Sequence, residues 1–457
     1  MLGFQMREPE GKRKLFVIFI WAFGLLGILG PGMVWGQEPK VWPLTLEECR
    51  RIVLEKNKDI QKAKEYRNSV MGRYIEERAA ALPQLTANAT VNHERDESLK
   101  GFYRGLFPFE REARTADVGL SQALYTFGRI GAAMRAAKIG LETAEDQLRI
   151  YRQAALRDVS AAFQDVLLAK ELNVLARQNL DQKTRHHNEA RRKFAAGVAT
   201  EYDVLAAEVT VENARPDVIR TENLIRTSRE KLRFILGIED QEVDGIGELT
   251  TPLEPNPQYE ETLRVARKNR PELLDLQKKV QMYQELVKIY DAGNLPRIDL
   301  KAGWGWRQLS FGTLNFGSTA GEGQAWSAGV FFSFPFFDGM RTQGKVIQAK
   351  SDVANLKIDE AKLRDSIALQ VRDALNACRE AEEIVRSLSG TVRQAERLLQ
   401  MAEKGFEYGV KTRLEVDDAQ WNVNQAKGNL AKAYRDYLVA RATLEWVMGT
   451  IGEKKTV

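Results

Sequence analysis

The sequence predicts a mainly α-helical protein with a membrane β-barrel, built from two halves that repeat each other. Three observations carry this prediction. The amino terminus has the pattern of an export signal, related segments recur at a spacing of about 212 residues, and each half pairs an aromatic hairpin with a very long helix.

The composition restricts the classes of protein that need to be considered. The chain has 457 residues, with 68 Lys+Arg against 63 Asp+Glu and a formal net charge of +5. Charged residues make up 29% of the chain and are mixed along it rather than collected in blocks. This pattern argues against nucleic acid as a partner.

The first 36 residues are predicted to be a cleaved export signal. Arg7 and Lys12–Lys14 precede an apolar run from Leu15 to Leu29, and Val34–Gly36 suits a cleavage site before Gln37. An uncleaved membrane anchor is the alternative, although the run is short for a span of roughly 20 residues. No later stretch is apolar for long enough to form a transmembrane helix, so strands would have to cross any membrane.

The mature chain is predicted to consist of two repeats, residues 37–249 and 258–457. A proline-rich linker at 250–257 separates them. The segments that recur in order are Lys58–Ile60 with Pro271–Leu273, Leu82–Pro83 with Leu295–Pro296, Phe194–Thr200 with Phe406–Thr412, and Leu236–Gly237 with Met448–Gly449.

Each repeat is predicted to open with a helix followed by one hairpin. Thr45 and Glu48 fit a capping box at the start of the first helix. In the second repeat, apolar residues alternate from 298 to 306 and from 326 to 336, which indicates two strands. The first-repeat strands are predicted at about 84–93 and 115–125. The polar, glycine-containing stretches 94–114 and 309–324 are predicted to be exposed loops.

A very long helix is predicted after each hairpin. Arg129 to Lys193 is 65 residues without proline, which would extend about 98 Å as one helix. Residues spaced by three or four predict a narrow packing seam on both long helices, and a plain two-stranded coiled coil would show the same periodicity. The seam residues are Tyr151, Ala155, Val159, Ala162 and Val166, and Leu363, Ile367, Val371, Ala374 and Cys378.

The four predicted strands indicate an oligomeric membrane barrel. Four strands cannot close a barrel, and an open sheet edge leaves backbone groups without partners in lipid. Three chains would supply about 12 strands, a number within the range of outer-membrane barrels. A soluble sheet packed on helices is the alternative.

The sequence offers no catalytic, cofactor or metal site, so an enzyme is not predicted. His186 and His187 are adjacent and would diverge on a helix, and His93 lies far from both. Motifs for metalloproteases, phosphate-binding loops and nucleophile elbows are absent from the sequence. Cys49 and Cys378 are predicted to be buried thiols, with a disulfide as the alternative.

The ordered set of motifs resembles the TolC family of outer-membrane efflux proteins across nearly the whole mature chain. The residues that carry the resemblance are Leu44–Glu48, Arg270–Leu273, the glycine turns at 128 and 339, and the paired Gly-Val turns at 197 and 409. The resemblance implies a homotrimer with a 12-stranded β-barrel in the outer membrane and a 12-helix α-barrel in the periplasm. Lys58 departs from the family's usual proline and puts the start of the following helix in question.

The resemblance also implies the partners and the functional residues. The partners would be outer-membrane lipid, a periplasmic adaptor (membrane fusion protein) and an inner-membrane pump of the RND, ABC or MFS type. Adaptor docking is expected at the turns containing Gly197, Val198, Gly409 and Val410. The periplasmic gate is expected at Asp203, Lys411, Glu415 and Asp418. An ordinary solvated helix face is the alternative for these carboxylates.

The predicted function is therefore an outer-membrane exit duct of a tripartite efflux or type I secretion system. Such a duct would passively conduct substrates that the pump and adaptor deliver. The alternative from a different class is a periplasmic coiled-coil adaptor or structural envelope protein. The sequence names neither the cargo nor the class of pump.

Overall fold

The computed structural model describes residues 41–96, 98, 110–313 and 317–452, so the predicted signal and its cleavage site lie outside the described residues. In the first half the elements are β1 Trp42–Leu44, α1 Leu46–Lys56, α2 Lys58–Ala79, β2 Gln84–Arg95, β3 Glu110–Tyr125, α3 Arg129–Ala195, α4 Glu201–Leu236 and β4 Val243–Gly245. In the second half they are α5 Tyr259–Asn269, α6 Pro271–Asp291, β5 Arg297–Thr313, β6 Gly317–Ser333, α7 Arg341–Glu407 and α8 Arg413–Val447.

The helical region that opens the chain is broken into α1 and α2 at Asn57. Thr45 and Glu48 form the predicted capping box, with the Thr45 amide donating to Glu48 Oε2 over 2.8 Å. The Asn57 side chain accepts hydrogen bonds from the amides of Asp59 and Ile60. Helix α2 therefore begins at Lys58 without the usual proline, because asparagine supplies the cap that starts it.

The break between α1 and α2 packs against a glycine at the end of α4, and the second half repeats this contact. A Cβ added to Gly237 would lie 2.4 Å from the Lys56 carbonyl oxygen. A Cβ added to Gly449 would lie 2.9 Å from the Asn269 carbonyl oxygen, at the α5–α6 break. Both glycines also have a positive φ, so these positions favour glycine for two reasons.

The hairpins form one four-stranded antiparallel sheet in the order β2-β3-β5-β6. Directly paired residues share a face of a sheet, and one row joins Ala87, Val118, Trp304 and Trp326. The adjacent row, which points to the other face, joins Thr86, Gly119, Gly303 and Ser327. The sheet therefore has one apolar face and one face of small and polar residues.

The apolar face has a limited height. On β5 it runs from Ile298 to Trp306, which is about 27 Å along a strand. The next position on this face is Gln308, which pairs with Arg114 and Glu322. A polar row therefore ends the apolar band on the side away from the helices.

The predicted loop at 309–324 is wrong. Strand β5 continues to Thr313 and β6 begins at Gly317, so residues 306–313 pair with residues 317–324 in a ladder. The loop predicted at 94–114 is too long for the same reason, because β2 reaches Arg95 and β3 begins at Glu110. Backbone hydrogen bonds extend a hairpin without apolar side chains. The opposite error occurs at Phe334 and Phe336, which lie beyond the end of β6.

Helices α3 and α7 contain 67 residues each, or about 100 Å of helix. The predicted seams are buried at Ala155, Val159, Ala162 and Val166 and at Ile367, Val371, Ala374 and Cys378. Tyr151 is an exception, with 47% of its surface exposed, and Leu363 is partly buried. Helix α3 packs against α4, and α7 packs against α8. Each long helix therefore folds back along a shorter one.

The largest apolar cluster joins α1, α3 and α4 with the parallel pair β1 and β4. Cys49 lies in this cluster and Cys378 lies in a second cluster with α5 and α7. Both are free and buried, as predicted, and burial raises the pKa of Cys49 to about 12 and of Cys378 to about 11. None of the helices in the described ranges is long and apolar enough to cross a membrane.

Candidate functional site at the two helix turns

The two Gly-Val turns reverse the chain between a long and a short helix. Residues 196–200 join α3 to α4, and residues 408–412 join α7 to α8. Gly197 has a φ of 77° and Gly409 a φ of 72°, the left-handed conformation that glycine adopts without strain. The amide of Val198 donates to Lys193 over 3.0 Å, and that of Val410 donates to Gly405 over 2.8 Å. These hydrogen bonds cap the carboxyl end of each long helix.

A capping box starts the returning helix at both turns. Thr200 and Asp203 form the box of α4, with the Thr200 amide 2.8 Å from Asp203 Oδ2. Thr412 and Glu415 form the box of α8, also with a distance of 2.8 Å. Asp203 and Glu415, two of the three carboxylates predicted at the gate, are therefore fixed by the caps of their own helices.

The outer surface of both turns is apolar and exposed. Val198 is 75% exposed and Val410 is 79% exposed, and no atom lies within 4 Å of a Cβ placed on Gly197 or Gly409. Tyr202 and Tyr408 add exposed aromatic surface beside them. Exposed apolar patches of this kind mark contacts with other molecules. The four residues predicted for docking thus lie on two similar surfaces.

The second turn carries an ion pair that the first turn lacks. Lys411 Nζ lies 2.5 Å from Glu415 Oε1, and its side chain fits because Gly405 has none. In the first half, Ala199 occupies the position equivalent to Lys411, and Lys193 occupies the position equivalent to Gly405. The hydrogen bond from Lys411, followed by that from the Thr412 amide, lowers the pKa of Glu415 to about 2. The Thr200 cap also lowers the pKa of Asp203.

The structure brings together two of the four predicted gate residues. Lys411 and Glu415 form a pair within one chain, whereas Asp203 belongs to the other turn. Asp418 is exposed on α8, three residues after Glu415. The predicted interaction of Lys411 with Asp203 would join two neighbouring turns, and it stays a prediction.

A cavity of about 460 Å³ lies between the two helical hairpins just behind the turns. Arg413 and Asp417 line it from α8, and the Arg413 guanidinium lies 5.5 Å from the centre of the Phe406 ring. His186 lines it from α3, and burial, followed by the charge of Arg413, lowers its pKa. The described residues contain no group of three or more potential ligands that could hold a metal ion.

Sequence reasoning missed Arg413 and Asp417. They lie on α8 between the predicted gate residues, and no local pattern marks them as facing α3, more than 200 positions earlier in the chain. Phe406 was the available signal, because an aromatic ring close in sequence to Arg413 can receive its guanidinium.

Comparison with known proteins assigns this long-helix and hairpin architecture to a family. The profile of the family described as "Outer membrane efflux protein" matches residues 50–238 and 262–450. The chain belongs to this family, as the sequence motifs predicted, and it is a transport protein of the outer membrane with a large periplasmic portion.

Individual relatives agree with this assignment over most of the chain. Outer membrane protein TolC of Vibrio cholerae is 24% identical over 97% of this chain and 97% of its own length. The alkaline protease secretion protein AprF of Pseudomonas aeruginosa is 25% identical over 82% of this chain and 78% of its own. The crystal structure of the Campylobacter jejuni CmeC outer membrane channel has the same fold, with a TM-score of 0.76, 15% identity and coverage of 89% and 85%.

Proposed function

We propose that three copies of this chain form an exit duct that passively conducts substrates across the outer membrane. The observation that carries the proposal is the four-stranded sheet, which has one apolar face and, within the described residues, a single neighbour for each of β2 and β6. The family described as outer membrane efflux proteins and the relative named a protease secretion protein support conduction rather than catalysis.

The sheet is suited to closure by its own copies. Strand directions alternate from β2 to β6, so β6 of one chain beside β2 of the next would continue the antiparallel order. Three sheets would make a 12-stranded barrel with no free edge. The apolar band of about 27 Å along the strand is comparable with the roughly 25 Å lipid-facing band of outer-membrane barrels.

The helices would continue the barrel as a periplasmic tunnel. Helices α3, α4, α7 and α8 of three chains would give 12 helices around one axis. The two separate matches to the family profile support the division into repeats at 37–249 and 258–457, joined by the linker 250–257. The exposed apolar turns at Gly197–Val198 and Gly409–Val410 would be the end farthest from the membrane.

These turns would receive a periplasmic adaptor that connects the duct to an inner-membrane pump. The exposed valines and tyrosines of both turns support this contact. The name of the Pseudomonas relative, a protease secretion protein, supports type I secretion as one use. The name of the family supports efflux as the other.

The gate would lie just inside the turns of the second half. In a trimer Glu415 and Asp418 would recur three times around the axis and place six carboxylates near the mouth. Lys411 partly neutralises Glu415, and Asp418 is exposed, so Asp418 would contribute more of the negative potential.

The experiment that tests the duct compares two lysine substitutions on opposite faces of one strand. Ala328 lies midway along the apolar band, and Ser327 is its neighbour on the polar face. Ala328→Lys should destabilise the inserted state by about 2–4 kcal/mol and reduce the yield of detergent-stable trimer, because it places a charge in lipid. Ser327→Lys should leave the trimer intact and reduce cation conductance in planar bilayers. Equal effects of the two substitutions, or a soluble monomer, would contradict the barrel.

A further inference from the structure

A small cavity collects buried polar atoms that lack a hydrogen-bond partner. The cavity has a volume of about 150 Å³ and lies where α1, α3 and α8 meet the linker 250–257. Nine buried side-chain polar atoms in the described residues have no hydrogen-bond partner, and three of them belong to side chains that line this cavity. These three are Arg50 Nε, Gln164 Oε1 and Arg441 Nη1. Unpaired buried polar atoms destabilise a fold, so their concentration at one cavity points to an occupant that pairs with them.

Helices α3 and α1 supply the most enclosed part of the lining. Only 7% of the surface of Gln164 is exposed, and Ser160, one turn earlier on α3, is 3% exposed. Arg50 of α1 donates from Nη2 to Ser160 Oγ over 3.4 Å and from Nη1 to Glu47 Oε1 over 2.9 Å. The Arg50 guanidinium is therefore held at the cavity by two contacts, and its Nε remains as a donor for another molecule.

The linker and α8 supply the remaining polar groups. Arg441 donates from Nη2 to the carboxylate of Glu254, whose own amide donates to Tyr437 Oη over 2.8 Å. The Nη1 atom of Arg441 remains without a partner. Glu445, one turn further along α8, also lines the cavity and forms no ion pair within the described residues. The cavity therefore offers two guanidinium N–H groups, one amide oxygen and one carboxylate.

We propose that this cavity binds a small zwitterion of the α-amino-acid class. The carboxylate of the ligand accepts charge-assisted hydrogen bonds from Arg50 Nε and Arg441 Nη1. Its ammonium group donates to Gln164 Oε1 and to the Glu445 carboxylate. The charged residues of the lining are two arginines and two glutamates, Glu254 being the second glutamate. A ligand that carries both charges and no net charge is therefore complementary to them.

The ligand would connect the two repeats at the linker between them. Gln164 belongs to the first repeat and Arg441 to the second, while Thr251 and Pro252 of the linker line the same cavity. Occupancy would therefore stabilise the contact of the linker with both repeats, and the Glu254 amide reports on that contact through its hydrogen bond to α8. The site lies within one chain, so the proposal goes beyond the proposed duct and does not depend on closure of a barrel.

The test measures the binding of glycine to the full-length protein in detergent by isothermal titration calorimetry. Acetate lacks the ammonium group, methylamine lacks the carboxylate, and phosphate is an oxyanion without a cationic group. Glycine should bind, and each of the other three should bind about tenfold more weakly or less, because each leaves part of the lining unpaired. Glycine should also slow hydrogen exchange of the Glu254 amide. Equal binding of glycine and any of the three would overturn the zwitterion. A parent protein that does not bind glycine would overturn the site and leave a cavity filled by water alone.

Substitutions in the lining locate the bound glycine. Gln164→Leu should weaken glycine binding about tenfold, while the free protein should unfold at the same temperature or higher, because the unpaired amide oxygen is removed. Arg441→Lys keeps a positive charge beside Glu254 and should weaken binding by a similar factor, because the planar guanidinium is lost. Gln178→Leu, at an exposed position further along α3, is the matched control and should bind glycine as the parent does. Parental affinity in both Gln164→Leu and Arg441→Lys would place glycine elsewhere and overturn the proposal.

Discussion

The two turns at the end of the helical hairpins have nearly the same backbone and different charges. Gly197 and Gly409 adopt the same left-handed conformation, and Thr200 and Thr412 cap the returning helices in the same way. Only in the second turn does a lysine, Lys411, form an ion pair with the capping carboxylate, and its side chain occupies the space beside Gly405. Backbone geometry is thus shared by both halves, while the electrostatics belong to the second half, and this difference can be tested.

The largest expected effect comes from breaking the shared geometry. Gly197→Val and Gly409→Val should each destabilise their turn by about 1–3 kcal/mol, because a β-branched residue is strained at positive φ. The two losses should be equal, since the added side chain meets open space at both positions. Hydrogen exchange of the Val198 and Val410 amides would measure each loss. Gly→Asn at the same positions is the control, because asparagine tolerates this conformation.

Under the proposed function, the valine substitutions should also abolish efflux in cells while the amount of trimer in the outer membrane stays normal. Unchanged efflux in both variants would contradict docking at the turns. A strong defect in only one variant would show that the partner depends on one turn more than on the other for binding.

The next effect concerns the carboxylate that has no counterpart in the first half. Ala206 occupies the first-half position equivalent to Asp418. If Asp418 faces the mouth, divalent cations added at the turn end should reduce bilayer conductance. Asp418→Ala should then weaken this block about tenfold, the factor that 1.4 kcal/mol of lost binding produces. Ala206→Asp supplies a matched carboxylate on the first turn. A block of unchanged strength in Asp418→Ala would contradict the gate assignment.

The smallest effect is the pH dependence of the second turn. The pKa of Glu415 is about 2 in the folded chain, below its ordinary value of 4.5. A depressed carboxyl pKa contributes stability above pH 4.5, and that stability is lost as the pH falls toward 2. As the pH falls from 4.5 toward 2, the hydrogen-exchange rate of the Val410 amide, corrected for its intrinsic pH dependence, should therefore rise more than the rate of the Val198 amide. Lys411→Met should reduce the excess, since Lys411 is the largest cause of the shift.

The sequence predicted these turns well because their determinants are local. A glycine at the end of a helix and a Thr with an acidic residue three positions later specify a turn within a few residues. The long helices were predicted for the same reason, from unbroken runs without proline. The starts of α4 and α8 follow directly from Thr200 and Thr412.

The sequence predicted contacts between distant segments poorly. The ends of β5 and β6 were placed wrongly because a ladder of backbone bonds continues through Gly321 and Glu322, which carry no apolar signal. The cavity contacts of Arg413 and Asp417 depend on how two hairpins pack, which no spacing within α8 encodes.

The equal lengths of α3 and α7 impose a constraint on how this molecule can change through evolution. Both span 67 residues, so their turns end about the same distance along the helix from the strands that precede them. Seven residues inserted into α3 alone would shift one turn by about 10 Å relative to the other. The same insertion in both, with matching additions to α4 and α8, would lengthen the helical part and preserve the seam. Length changes in this architecture should therefore occur in matched sets of heptads, so that the length of the helical part evolves in discrete steps.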